Sequence, residues 1–401
     1  MKYRLMDVLK CPNCSSELSL IPFVVNNIEN NINLVSKEPY CDSRCAWMEQ
    51  FSENKSNCIK CMSIDIELGI MLCKNNHFFP IIRSIPRLFE NSINVFYNNL
   101  QPHLTKLTDE IKNHLNKSIL NNDDHFQKKF LHTQESFSSE WEHVGSDERA
   151  WGRSSEERKN LFIQSFDIEF DNLYGKKLFD AGCGHGEVEQ ALIDSGLEIF
   201  AMDLSFSVDH IQNQLNKLLD KGGSYCYLVQ GNIHSTPFKN GVFDFVHSAG
   251  VLHHTPDTLK GFRKITKCLK LNGLCFIELY STDHKNSLDH IIYYINNLIR
   301  KISIKIPHKL LHFICFLATP WFWVYINLFN VIINKNKYIK RTLRELELSL
   351  FDALSPIYAW HHTTDEVKDW FQDVGYIKIK KTFSNHNGIG IVGKLKNNIL
   401  K

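Results

Sequence analysis

The chain has 401 residues, 43% of them hydrophobic and 22% charged, the balance of an ordinary globular protein with room for two or three domains. A net charge of +2 argues neither for nor against a polyanionic partner, so local patches must decide. Met1 to Lys10 is mixed and lacks the apolar core of a secretory signal; a cytoplasmic location is therefore expected, and twelve cysteines, seven of them in the first 73 residues, read as metal ligands rather than a disulfide framework.

The first 90 residues form one expected unit. Cys11-Pro-Asn-Cys14 is a C-x-x-C knuckle, and Cys73-Lys-Asn-Asn-His77 supplies a second ligand pair just before a short strand at 78–82. Together Cys11, Cys14, Cys73 and His77 offer three thiolates and one imidazole, a closed tetrahedral Zn²⁺ site of structural type. Between the halves lie Cys41-x-x-x-Cys45 and Cys58-x-x-Cys61. These four either build a second zinc site, or Cys58 and Cys61 complete the first; spacing leaves both open. A unit this small has too little core to fold without a metal. The knuckle set resembles the N-terminal zinc ribbon of bacterial rRNA guanine methyltransferases. The run Phe79 to Phe89 resembles the end of the small zinc-ribbon proteins that activate tRNA methyltransferases, with Ser84 where a glycine usually stands.

Residues 91–150 read as a linker and cover. The stretch 91–135 has the composition of one or two surface helices, and Phe137-Ser-Ser-Glu-Trp141 follows.

From 151 to 280 strands and helices alternate, the pattern of a Rossmann-like α/β core. Its centre is Lys177 to Glu187. An apolar run ends in Asp180, glycines stand at 182, 184 and 186, and a helical pattern begins at Val188. Glycines let the backbone pass close beneath a ligand, so a side chain at 184 should stand in the ligand's path. A dinucleotide fingerprint would need its third glycine at 187, which is Glu187. Further strands are expected at 197–202, 225–229, 243–247 and 274–279, with a helix from Asp257 capped at Asn272-Gly273.

The D-x-G-x-G-x-G pattern resembles motif I of the class I S-adenosylmethionine (SAM) methyltransferases, and Leu252-His253-His254 resembles the sequel to motif IV in their broad type 11, or UbiE-like, branch. That resemblance implies a seven-stranded, mostly parallel sheet closed by an antiparallel hairpin. It implies SAM bound by Asp180, Gly182, Gly184 and Gly186, with ribose on Asp203, 19 residues past Gly184, and adenine near Asn232, an amide where the family has an acid. Leu204, Ile233 and His247 complete the expected cofactor set. The Phe-x-x-Glu-Trp segment helps to cover this pocket in related enzymes. The implied reaction is direct S_N2 methyl transfer, with His254, His253 and Tyr280, at the ends of two strands, as candidate bases.

Residues 281–355 exceed a simple connection and read as helices. Leu310 to Ile333 carries no charge over 24 residues and passes the length test for a membrane span. The catalytic pattern then resumes: 363–375 is a capped amphipathic helix, and 377–383 and 389–395 form the closing hairpin within the region 356–401. One crossing would strand that hairpin on the wrong side of the bilayer. The insertion must therefore cross twice, dip in and return, lie on the surface, or cap the pocket. Arg300 to Arg344 contains nine Lys/Arg and no acid, which suits an anionic lipid surface at the inner face of a membrane. The acceptor expected is a small or lipid-like molecule; an RNA base recruited by the zinc ribbon is the alternative.

Overall fold

The computed structural model describes residues 1–27, 61–120, 124–144, 153–219, 225–283, 287–333, 342–384 and 388–396. Cys41, Cys45 and Cys58 lie outside them.

In chain order, helix α1 (Arg4–Val8) leads to an antiparallel meander of β1 (Leu18–Asn27), β2 (Ile64–Cys73), β3 (Phe78–Ile82) and β4 (Ile85–Leu88). After three short helical segments come α2 (Asp109–Leu120), α3 (Asp124–Val144) and α4 (Ser155–Phe166). The core then alternates β5 (Lys177–Ala181), α5 (Glu187–Ala191), β6 (Glu198–Asp203), α6 (Ser207–Leu219), β7 (Tyr225–Gly231), β8 (Phe243–Ala249), α7 (Thr258–Thr266) and β9 (Leu269–Tyr280). The insertion is α8 (Ser287–Ser303), α9 (His308–Ile333) and α10 (Leu343–Leu354). The chain closes with α11 (Thr364–Val374), β10 (Tyr376–Ser384) and β11 (Gly388–Leu395).

Strands β7-β6-β5-β8-β9-β11-β10 form the expected seven-stranded sheet. β5 to β9 run parallel, and β11 pairs antiparallel with β9. Strand order reverses at β5, so the crevice beyond its carboxyl end is where such a sheet receives a ligand. β5 is buried at all five positions, as a central parallel strand covered on both faces must be.

The N-terminal meander is continuous with this sheet. β4 pairs parallel with β7, Arg87 opposite Gln230 and Leu88 opposite Gly231, which makes one sheet of eleven strands. Buried charges tie the join. Arg87 donates to Asp209 at 2.6 Å and to Gln230 at 2.9 Å; Arg4 forks onto Glu198 at 2.7 and 3.0 Å. Leu5, Val8, Leu9 and Met62 share a hydrophobic cluster with Phe179, Phe200, Phe238 and Phe243. Residues expected on linker surface helices pack inward instead: Leu100, Leu107 and Leu115 bury against Ile70, Phe78 and Ile82 of the meander.

Two boundaries differ from expectation. The helix that begins at Asp257 ends at Thr266, and Asn272-Gly273 lies inside β9 rather than at a helix cap. Asn272 has φ 66°, and the β8–β9 register slips between Phe243 and Phe245. A Cβ at 273 would come within 2.9 Å of the Asp244 carbonyl oxygen, so the glycine serves close strand approach. Among the described residues no helix is long and apolar enough to cross a membrane. In α9 one stripe is committed to protein. Leu311 and Cys315 bury against Phe351 of α10, and the His312 ring stacks on Phe351 at 3.6 Å.

Candidate active site

The crevice at the carboxyl end of β5 opens into a cavity of about 420 Å³. Its floor is the glycine turn. Gly182, Gly184 and Gly186 have φ 93°, 54° and 85°, which only glycine adopts freely. Gly182 and Cys183 donate their amides to the Met202 carbonyl at 2.7 and 3.1 Å, and Gly184 donates to Asp203 Oδ2 at 2.9 Å. Asp203 Oδ1 accepts from the Ser205 amide and hydroxyl at 2.8 and 2.6 Å. Burial pushes the Asp203 carboxyl up, while these bonds hold it down. One carboxylate therefore clamps the glycine turn to the end of β6 and still faces the cavity.

The structure brings the expected cofactor residues together: Asp180, Gly182, Gly184, Asp203, Leu204, Asn232, Ile233 and His247 all line the cavity. Gly186 lies beneath, where a Cβ would meet Ile211 at 2.9 Å. A Cβ at 184 would meet Trp141 Cζ2 at 2.8 Å, so the residue it confronts is a protein side chain, not the ligand's path alone. Trp141 in turn stacks on His185 at 5.1 Å between ring centres. Burial, then Arg158, lowers the His185 pKa to about 4. Asn232 Oδ1 accepts from the His234 amide at 2.9 Å, which caps a short 3₁₀ turn and fixes the amide's orientation. His247 packs among Phe162, Phe166 and Phe276, with Nδ1 2.8 Å from Asp180 Oδ1; it orients that carboxylate from below.

The candidate bases line the same cavity. His254 Nδ1 donates to the Tyr358 carbonyl at 2.8 Å. Its Nε2 therefore carries the lone pair, 3.8 Å from Asp352 Oδ1. Burial holds the His254 imidazole below its ordinary pKa, partly countered by Asp352. Tyr280 donates its hydroxyl to Asp352 Oδ2 at 2.9 Å; burial and then Asp352 push its pKa well up, so it is a donor rather than a base. His253 stacks on Tyr280 at 3.8 Å, and burial drives its pKa well down.

Sequence reading missed two carboxyls here. Glu140 is 1% exposed, lines the cavity, and has Oε2 without a hydrogen-bond partner among the described residues; burial pushes its pKa well up. Asp352 arrives on α10 with Glu345 and Ser349. Those three stand at i, i+4 and i+7, a polar stripe legible on the helix once its boundaries are known.

In the N-terminal region the Cys11, Cys14, Cys73 and His77 ligand atoms lie within 4.8 Å of one another. Cys14 and Cys73 sulfurs are 3.7 Å apart, and His77 Nδ1 is 3.3 and 3.5 Å from the Cys73 and Cys11 sulfurs. A tetrahedral zinc with bonds of about 2.3 Å to sulfur and about 2.0 Å to nitrogen requires edges near these lengths. Cys61 is buried apart from this group.

The sheet order is that of the class I SAM-dependent methyltransferase fold. Within that class, residues 179–277 match the type 11 methyltransferase domain family (Methyltransf_11). The ubiquinone biosynthesis O-methyltransferase of Vibrio parahaemolyticus is 27% identical over 123 residues, 30% of this chain and 51% of that protein. The Pectobacterium atrosepticum protein of the same description is 25% identical over 117 residues, 29% and 46% of the two chains. The chain thus spans about half the length of the curated relatives it matches. Among solved structures, magnesium protoporphyrin IX methyltransferase from Synechocystis PCC 6803 with bound SAH (S-adenosylhomocysteine) aligns at 12% identity and TM-score 0.36, covering 76% of this chain and 97% of that one.

Proposed function

We propose that the protein transfers the methyl group of SAM to a small or lipid-like acceptor held between the glycine turn and the insertion. The observation that carries this reading is the cavity itself, lined both by Asp203 and the glycines and by His254, Tyr280, Glu140 and Asp352. Bound SAM supplies an activated methyl electrophile. The chain's task is to align the acceptor, exclude water and receive a proton where the acceptor must lose one. His254 is the base: its Nδ1–H is anchored, and burial keeps Nε2 unprotonated at neutral pH.

The insertion supports the lipid-like half of the proposal. Tyr294, Ile302, Phe313, Phe316 and Trp321 on α8 and α9 are 57 to 78% exposed, and Lys301, Lys305 and Lys309 beside them are exposed too. Apolar and aromatic side chains flanked by cations suit the surface of an anionic bilayer, a peripheral contact that would present a membrane-borne acceptor. The alternative is an RNA acceptor, motivated by the Cys11, Cys14, Cys73 and His77 cluster. Zn²⁺ on Cys11, Cys14, Cys73 and His77 is proposed as a structural ion.

Calorimetric titration with SAH tests the central reading. We expect one site per chain, weakened at least about tenfold by Asp203→Ala, because the carboxylate both faces the ligand and clamps the turn. A chain that takes up no SAH would overturn it.

A further inference from the structure

The geometry points to Asp352 of the insertion as the positioning residue that makes His254 an effective proton acceptor for a hydroxyl acceptor. This rests on the methyl-transfer reading and extends it: the insertion completes the catalytic machinery as well as covering it.

The argument begins with the two ends of one imidazole. His254 Nδ1 donates to the Tyr358 carbonyl at 2.8 Å, which fixes both tautomer and ring plane. Nε2 is left as an acceptor and faces another acceptor, Asp352 Oδ1, at 3.8 Å. Two acceptors face each other there and repel weakly while the ring is neutral. Once Nε2 gains a proton, the same separation becomes an attraction between imidazolium and carboxylate in a buried setting, where charges interact strongly. The contact therefore favours the state that follows proton transfer over the state that precedes it.

Asp352 is itself held. Its Oδ2 accepts from the Tyr280 hydroxyl at 2.9 Å, so the carboxylate is fixed from β9 while its backbone rides on α10. That helix is seated by Phe351 against Leu311 and Cys315, by Arg300 Nε donating to the Ala353 carbonyl at 3.1 Å and by Ser303 Oγ donating to the Leu354 carbonyl at 2.7 Å. Among the described residues, Asp352 from α10 and Arg300 from α8 act on His254, and His253 from its own turn and Tyr280 from β9 pack against its ring. Asp352 raises the His254 pKa and Arg300 lowers it.

The cavity around Asp352 is thus rich in acceptors and carboxyls: His254 Nε2, Asp352 and Glu140. It suits an acceptor that brings a donor to the reacting end and repels one that brings a carboxylate. For a hydroxyl the step balances. The O–H bond breaks and its proton goes to His254 Nε2. The oxygen lone pair forms the new bond to the methyl carbon, and the pair from the broken carbon–sulfur bond stays on sulfur, neutralising its charge.

The test uses the full chain with ¹⁵N-labelled histidine, saturated with SAH, and radiolabelled SAM with 4-octylphenol in detergent micelles as the hydroxyl probe. Asp352→Asn should bind SAH as the unaltered chain does, lower the His254 titration midpoint by about one pH unit, and cut kcat about tenfold or more. The acid limb of kcat/KM should move to lower pH by the same amount, because less acid is needed to keep Nε2 free, and Asp352→Glu should restore part of the rate. Tyr280→Phe removes only the hydroxyl that steadies Asp352 and serves if the first variant does not fold; it should lower kcat a few-fold without changing the KM for SAM. An Asp352→Asn chain with unchanged rate and unchanged His254 midpoint overturns the proposal, as does an unchanged Tyr280→Phe. A chain that binds SAH but leaves the phenol unmethylated overturns the hydroxyl-directed pair while methyl transfer itself stands. A chain that binds no SAH fails at the earlier reading.

Discussion

At the scale of single residues, the glycine turn is held by contacts on both its faces. Gly184 must be glycine for two reasons: its φ of 54° and the 2.8 Å that would separate a Cβ from Trp141. Gly184→Ala should therefore cost about 1–2 kcal/mol from backbone strain alone. It should also push Trp141 off His185 and weaken SAH binding. In a Trp141→Ala background the added effect of Gly184→Ala should shrink towards the backbone part; a double-mutant cycle with no coupling would show that the ring is not the obstacle. His185 makes a second residue-scale prediction. Its folded pKa of about 4 lies below the ordinary 6.5, so the unfolded chain binds a proton that the folded chain refuses. Stability from this group is present above pH 6.5 and falls away as pH drops towards 4, by up to about 3 kcal/mol. Glu187, raised by burial to about 7 against an ordinary 4.5, acts in the opposite sense. His185→Gln should flatten the loss of urea stability on acidification between pH 6.5 and 4, whatever its constant offset. An unaltered slope would contradict the assignment.

At the scale of elements, α9 and α10 divide the labour of the insertion. α9 gives Leu311 and Cys315 to Phe351 and leaves Leu310, Phe313, Ile314, Leu317 and Trp321 exposed. Positions 310, 313, 314, 317 and 321 repeat at three and four, one continuous helical face. If that face meets a bilayer, binding to vesicles containing phosphatidylserine should be strong at low salt and fall as salt rises. Replacing Lys301, Lys305 and Lys309 with Gln should weaken it by roughly 1 kcal/mol per engaged lysine, with SAH affinity unchanged. Indifference to anionic vesicles at low salt would leave the helices as a cap. Phe351→Ala should act differently. By opening the α9–α10 packing it should destabilise the insertion by about 3–5 kcal/mol and misplace Asp352, lowering kcat with little change in SAH affinity.

At the scale of the whole molecule, the N-terminal meander and the catalytic sheet share strands, core and buried charges. Arg87→Ala would leave Asp209 and Gln230 facing an uncompensated site at the β4–β7 join, and a loss of about 3–5 kcal/mol is expected. Thermal unfolding should proceed as one transition, and Arg87→Ala should lower it as a whole; two separate transitions would show that the meander folds alone. If Zn²⁺ occupies the Cys11, Cys14, Cys73 and His77 site, elemental analysis should give at least one zinc per chain. Chelation should then lower the single transition rather than unfold 1–90 outright, because Leu5, Val8, Leu9 and Met62 remain buried against the catalytic core.

The amino-acid sequence by itself determined the alternation of strands and helices in the core and the glycine turn after β5, and it marked Asp203 and the knuckle residues as candidates; the seven-stranded sheet was legible only through the family resemblance. Each is a local demand: a backbone that needs positive φ, a strand that alternates with a helix, two thiols at chelating distance. Such demands are written in adjacent residues and survive without knowledge of packing. Only the tertiary structure decided what meets what across the chain. Tyr280 finds Asp352 across 72 residues, and β4 finds β7 although no strand was expected at 85–88. The sequence left Glu140 as one letter of an aromatic segment and Asn272-Gly273 as a plausible helix stop; the fold made the first a buried carboxyl and the second a strand crossing. These outcomes depend on how helices seat and which edge a strand joins, and those are settled by summed burial over many contacts rather than by any short run of residues.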